Sequence, residues 1–316
     1  MAFRPTNEED TSKEVPLKSS SQTVATFQIL LAGCLWGLVG PLVKLMEGAG
    51  GSAEGIAFVR MAMAFAIMGT ITLLKFGPEA FRISKRCLLA CLALGVVSNG
   101  LYNVAYSLAI KEAGITVSAV LLNSAPVFTA LASVLVLGER IRARKAVALL
   151  INILGCCLAT THGQLDLASL SVVGVLCGIA SAFTYGIAAI ITRLSGPSTN
   201  TYAMSTYSYL FAAITIGVLF QPWNNGNLCN EGVLGYGFLL ALIPTSLAYL
   251  VYYKGVLKMK ETSRVPVFAS VEMISTAIVS ALFFGEALDF ATVAGISLVI
   301  GSIALMALQK KGSAPE

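Results

Sequence analysis

Apolar positions in this chain come in long, nearly unbroken blocks, without the alternation of a half-buried strand or the one-sided stripe of a soluble helix. Ten such blocks run over about residues 25–45, 54–74, 87–109, 115–137, 146–161, 170–192, 203–221, 233–253, 265–284 and 291–308. Short charged or Gly/Pro-containing breaks separate them. Most are close to the ~20 residues that carry a helix across a ~30 Å hydrocarbon core. The pattern predicts an all-α membrane protein of ten transmembrane helices, the fifth of them short. Length alone would suggest two soluble domains, and the blocks override that.

Composition agrees. The chain is 56% hydrophobic and 12% charged, with a mean hydropathy of +0.81; a soluble domain carries about 25% charged residues. Residues 1–23 are polar and mixed in charge, with no basic start, short apolar core and cleavage site, so they read as a cytoplasmic tail and not a signal peptide. Residues 309–316 form a second tail.

The net charge of +5 does not indicate a nucleic-acid partner, because the basic residues sit in short loops between apolar blocks. They alternate in those loops. Lys75, Arg82, Lys85 and Arg86, then Arg140, Arg142, Arg144 and Lys145, then Arg193, then Lys254, Lys258, Lys260 and Arg264, and finally Lys310 and Lys311 fall on one side. The intervening loops hold no Lys or Arg, Lys111 excepted. Basic loops stay inside, so both termini are expected in the cytoplasm. Six of the seven cysteines fall inside apolar blocks and one, Cys229, in a predicted external loop, with neither metal-ligand spacing nor a disulfide framework.

The chain also repeats. Tyr102 and Tyr106 match Tyr249 and Tyr253 at an offset of 147 residues, and Leu137, Gly138 and Glu139 match Phe284, Gly285 and Glu286 at the same offset. Trp36, Gly37 and Lys44 match Tyr185, Gly186 and Arg193 at an offset of 149. Residues 24–161 and 170–308 therefore form two repeats of five spans each. An odd number of spans turns the second copy over. Two inverted five-helix repeats supply two near-equivalent states and place a solute site near the midplane; duplication that merely builds a stable bundle is the blander reading.

These residues resemble the drug/metabolite transporter superfamily, specifically a protein with two EamA-type domains. The resemblance rests on Leu35, Trp36, Gly37 and Lys44 in the first span, Phe58, Val59 and Arg60 in the second, and Tyr102 to Ala109 in the third. Pro126, Gly138 and Glu139 in the fourth, then Val271, Glu272, Gly285 and Glu286 in the ninth, complete it. It covers about residues 25–310. It implies a ten-helix inverted-repeat carrier with a central cavity lined by helices one, three, four, six, eight and nine, exporting amino acids, related metabolites or toxic compounds across a bacterial inner membrane. The chain departs from the pattern at Met273, where a proline often follows the glutamate, and at Tyr209, the uncharged counterpart of Arg60.

Candidate residues follow from the cost of polarity in lipid. Glu272 lies about 12 Å into its span, near the midplane, where a carboxylate costs about 2.5–3.5 kcal/mol on insertion scales. It is a candidate for proton coupling or for binding a substrate amine; a structural hydrogen bond is the alternative. Arg60 can bind a substrate carboxylate with its planar donor fork, or snorkel or pair to lock helices. Asn99, Asn103 and Tyr106 form one polar stripe in the third span, and Thr245, Tyr249 and Tyr253 another in the eighth. Trp36 and Tyr185 are matched aromatics deep in the first and sixth spans, and Asn123 adds an amide in the fourth; packing and inter-helix bonding compete with a cavity role for each. Gly33 and Gly37, and the ladder Gly174, Gly178, Ala182 and Gly186, read as close-packing faces. Glu139 and Glu286 end their helices at opposite surfaces and are candidate gate or loop anchors.

No metal site and no cofactor is expected. The single His162 lies in an external loop, and no nucleophile–base pair or phosphate-binding glycine loop stands out. The reading is a secondary transporter of a small neutral or zwitterionic solute, with the lipid bilayer as its other partner. An integral-membrane enzyme and a sensor or assembly subunit are the alternatives from other classes.

Overall fold

The structure, a computed structural model, describes residues 19–163, 171–197, 199–225, 227–285 and 288–308. Glu286 and most of both tails lie outside the described residues. Among those residues, ten helices are long and apolar enough to cross a membrane. They are α1 (Ser21–Gly48), α2 (Ala53–Phe76), α3 (Lys85–Ala113), α4 (Thr116–Leu137), α5 (Ala143–Thr161), α6 (Val172–Leu194), α7 (Thr201–Phe220), α8 (Glu231–Lys258), α9 (Thr262–Phe284) and α10 (Phe290–Ala307). The fifth spans nineteen residues, so it crosses like the others.

The two halves share their irregularities as well as their helix count. Helix α1 breaks after Trp36, and α6 breaks after Gly186. Helix α3 widens to a π-helical stretch over Leu94–Leu101, and α8 does so over Ala241–Leu247. Helix α4 breaks at Asn123 and Ser124, and α9 at Ser270. Gly138 and Gly285 close α4 and α9 in the left-handed region, each at φ 66°, where a side chain would be strained.

Proline and side-chain chemistry account for several of these irregularities. Pro126 and Pro266 lack an N–H donor and sit at the start of new helical pieces, and Pro244 lies inside the widened turn of α8. In both widened turns a side chain reaches the carbonyl five residues back. Asn99 Nδ2 donates to Leu94 O at 2.9 Å, and Thr245 Oγ1 to Leu240 O at 2.7 Å.

Packing repeats the symmetry with the halves exchanged. Helix α1 lies along α8 and α9, and α6 lies along α3 and α4. Helices α2 and α7 pack side by side, as do α5 and α10. Gly37 meets Ser275 and the Thr276 backbone of α9, while Gly186 meets the Ala125 carbonyl and Phe128 of α4. A Cβ at either would overlap its neighbour, so these glycines set the depth of the two crossings.

Loop ends assigned to one face are joined there. Gln22 Nε2 donates to Lys258 O at 2.8 Å, and Arg86 Nε to Leu194 O at 2.5 Å. On the opposite face His162 Nδ1 and Asp289 Oδ2 lie 2.7 Å apart. Asp289 also caps α10, accepting from Thr292 N at 2.7 Å, and that bond holds its carboxyl below the usual aspartate range. The first of these faces carries the Arg and Lys clusters and is termed the basic face.

Candidate functional site

A cavity of about 390 Å³ lies between the two halves, a size suited to a small organic solute. Helices α1, α3, α4, α6, α8 and α9 supply most of its wall, with Arg60 entering from α2 and Asn152, Cys156 and Thr160 from α5. Of the residues singled out from sequence, Trp36, Arg60, Asn99, Tyr106, Asn123, Tyr185, Tyr249, Tyr253 and Glu272 line it.

Asn103 and Thr245 do not line it. The widened turn of α3 rotates the residues after it, so Tyr102 takes the inward place and Asn103 Nδ2 donates back to Asn99 O at 2.5 Å. Thr245 is fully buried behind the wall, where its hydroxyl accepts from Arg60 Nε at 2.7 Å. Tyr209, the counterpart of Arg60, donates its hydroxyl to Thr245 O at 3.1 Å. Both positions thus grip the same turn, one with a charge and one without.

The aromatic wall obeys the pseudo-symmetry. The Trp36 and Tyr249 ring centroids are 5.0 Å apart, and their counterparts Tyr185 and Tyr102 are 5.5 Å apart. Tyr102 and Tyr106 are 5.8 Å apart, and Tyr249 and Tyr253 are 5.7 Å apart. Tyr102, Tyr252, Thr129, Asn152 and Ser270 are lining residues that the sequence reading left out of the site. Tyr102 was legible there, since it matches Tyr249 in the repeat. Asn152 carried no such signal: it reaches the cavity from α5, donating to Ser270 Oγ at 2.6 Å and Ser302 Oγ at 3.0 Å.

Several polar groups in this wall lack a protein partner. Trp36 Nε1, Ser98 Oγ, Asn152 Oδ1 and Tyr253 OH are buried with no hydrogen bond among the described residues. Buried polar atoms are normally paired, so each is an unsatisfied donor or acceptor in the wall of the chamber. Glu272 makes no hydrogen bond or ion pair with any described residue. The Arg60 guanidinium uses Nε on Thr245 and keeps its two terminal amines without a protein partner among those residues. One cation and one carboxylate therefore face a largely aromatic chamber.

Packing differs between the two ends of α4 and α9. In α4 the half nearer the basic face buries Ala125, Pro126, Thr129, Ala130 and Ser133; in the other half only Ser118 is buried among the described side chains. In α9 the basic-face piece buries Val265, Val267 and Phe268, while Val271–Phe284 buries none.

A latch holds the basic face. The Glu139 carboxylate accepts from Thr262 N at 2.5 Å, Ser263 N at 3.1 Å and Ser263 Oγ at 2.6 Å, capping α9 from the end of α4. Lys145, 1% exposed, donates to Ser263 Oγ at 2.8 Å and lies 3.6 Å from the Glu261 carboxylate. On the opposite face Lys44 lies over the Phe284 ring at 4.5 Å from its centroid.

The model of the EamA-like transporter family matches the chain twice, over residues 23–161 and 172–308. The chain belongs to the EamA-like transporter family. Its two EamA repeats coincide with the two five-helix halves, and it is a multi-pass membrane transporter.

Among relatives of this EamA protein, an uncharacterized transporter of Archaeoglobus fulgidus is 24% identical over 87% of this chain and 93% of its own length. The uncharacterized inner membrane transporter YicL of Salmonella typhimurium is 24% identical over 90% and 95%. The pseudopaline exporter CntI of Pseudomonas aeruginosa is 26% identical over 90% and 95%. A crystal structure at 19% identity superposes with a TM-score of 0.73, covering 92% of this chain and 97% of the other, and shares the fold.

Proposed function

We propose that this EamA transporter exports a small zwitterionic or neutral solute with an apolar part, such as an amino acid or related metabolite, across a bacterial inner membrane by alternating access. The observation that carries the reading is the pairing of an open Arg60 fork and an unpartnered Glu272 carboxylate in one aromatic chamber. A carboxylate on the solute suits the terminal amines of Arg60. A solute ammonium suits Glu272 and the faces of Trp36 and Tyr249. The aromatic wall takes the apolar part.

Export draws on the exporter name of one relative, and the inner membrane on the name of another. The basic loops support a cytoplasmic position for the latched face and both termini, and the latch and closer packing there support an outward-facing reading of this state. Inverted repeats make its mirror state near in energy, with α4 and α9 exchanging their packed and open halves.

Thermal unfolding of the purified protein with a panel of amino acids and metabolites tests the solute class. A ligand at a hundred times its Kd adds about 2.7 kcal/mol to the folded state and raises Tm accordingly. Zwitterions with apolar side chains are expected to raise it, and nucleotide sugars are not. Arg60→Gln should lower affinity for the stabilising zwitterion by about 10- to 100-fold. Undiminished affinity in that variant would remove the carboxylate role from Arg60.

A further inference from the structure

On the basic face, away from the central cavity, two lysines from different helices converge on one phenol. Lys75 Nζ, at the end of α2, donates to Tyr202 OH at 3.1 Å; Lys254 Nζ, from α8, donates to the same oxygen at 3.4 Å. Both ammoniums also lie over the Tyr202 ring, at 4.9 and 4.7 Å from its centroid. Two like charges drawn together repel, and a carboxylate between them would offset the repulsion. Among the described residues none pairs with either. The described acids of this face are engaged elsewhere: Glu79 with Arg82, Glu261 with Lys145 and Arg264, and Glu139 on the α9 cap.

A groove of about 690 Å³ opens beside this pair, lined by Gln28, Arg193, Thr199, Thr201, Lys254 and Lys258. Arg193 is braced, its Nη1 donating to Leu257 O at 2.8 Å. Gln28 Oε1 is buried with no hydrogen-bond partner among the described residues. The groove thus presents cations and the Thr201 hydroxyl, with the unsatisfied Gln28 amide in its wall, at the depth where α2 and α8 end and α7 begins. That is the headgroup level of a bilayer, and Tyr202 and Phe76, 5.0 Å apart, are aromatics of the kind that settle there.

We propose that this corner binds a phosphate oxyanion, presented by the headgroup of an anionic phospholipid. Lys254 and Lys258 face the phosphate from the groove, Lys75 joins them across the shared Tyr202 hydroxyl, and Thr201 donates to a phosphate oxygen. The lipid neutralises the lysine pair and ties the ends of α2, α6, α7 and α8 together. Basic pockets between membrane helices bind such headgroups by this chemistry.

The test compares phosphatidylglycerol, phosphatidylcholine and inorganic phosphate on the full-length protein in detergent, read by thermal unfolding and by lipid retention in native mass spectrometry. Phosphatidylglycerol should raise Tm by several degrees and be retained, and phosphatidylcholine should do neither. Each lysine beside a headgroup is worth about fivefold in affinity, so Lys75→Gln with Lys254→Gln should weaken the preference about 25-fold. Lys254→Arg should keep it. If the double variant does not fold, the exposed Lys75→Gln alone, expected to lose about fivefold, serves in its place. Equal retention of the two lipids, or an undiminished preference in the variants, overturns the site. A Tm rise with inorganic phosphate equal to that with phosphatidylglycerol overturns the lipid as its source.

Discussion

Glu272→Gln is expected to abolish proton-driven accumulation of solute in proteoliposomes while leaving the folded state intact and solute exchange active, with a weaker apparent affinity for the amine. The argument starts from cost. An ionised carboxylate near the midplane is disfavoured by about 2.5–3.5 kcal/mol on insertion scales, close to two orders of magnitude in an equilibrium. Glu272 has no cation within ion-pair distance among the described residues. An empty, ionised carrier therefore changes state slowly; a proton or a solute ammonium on Glu272 removes the barrier. On the proposed function, alternation between those two occupants would couple export of the amine to entry of a proton. Glutamine is neutral at every pH, so it cycles without either and uncouples the two fluxes. Solute accumulation by an imposed pH gradient, compared with counterflow at equal pH, separates the effects. A variant that still accumulates solute in response to the gradient would remove Glu272 from coupling.

The second large effect lies at the latch. Glu139→Ala deletes an acceptor that serves two backbone N–H groups and one hydroxyl at the start of α9. The buried Lys145 keeps its own partners Ser263 Oγ, Arg140 O and the more distant Glu261, but Ser263 loses its anchor on Glu139. A hydrogen bond to a charged group is worth about 1.5–3 kcal/mol net. Losing even one shifts the balance between the two faces by about 10- to 150-fold toward opening of the basic face. Spin labels on Arg142→Cys and Lys260→Cys, in a background free of other cysteines, report that opening. The inter-label distance should lengthen in the Glu139→Ala protein. An unchanged distribution would make Glu139 a passive cap.

Much of this molecule was legible in its sequence because a bilayer permits so few solutions. Blocks of about twenty apolar residues can only be helices, and matched residues at offsets of 147 and 149 expose the duplication in the sequence itself. Trp36, Tyr185, Tyr249 and Glu272 stood out because large or charged polar groups are conspicuous in apolar segments. Register was harder. The stripe Asn99, Asn103 and Tyr106 assumed 3.6 residues per turn, and the π-helical stretch after Leu94 moved Tyr102 into the place expected for Asn103. Thr245 went the same way, turned inward to satisfy a carbonyl that the widened turn of α8 leaves free. Asn152 and the Ser270 break gave no periodic signal. Their roles come from contacts between α5, α9 and α10, which are remote in the chain. The latch was foreseen only as an anchor at Glu139; its partners Thr262 and Ser263 lie 123 and 124 residues away.

The sided accessibility of one cavity position tests the carrier reading most directly. Met273 is a half-buried lining residue of the chamber, and Met273→Cys in an otherwise cysteine-free protein can be probed with a membrane-impermeant thiol reagent in right-side-out and inverted vesicles. Labelling from the face opposite the basic loops in the resting protein, and from the basic face once Glu139→Ala is added, is the result expected. Labelling from one face only, whatever the state of the latch, would contradict alternating access through this cavity.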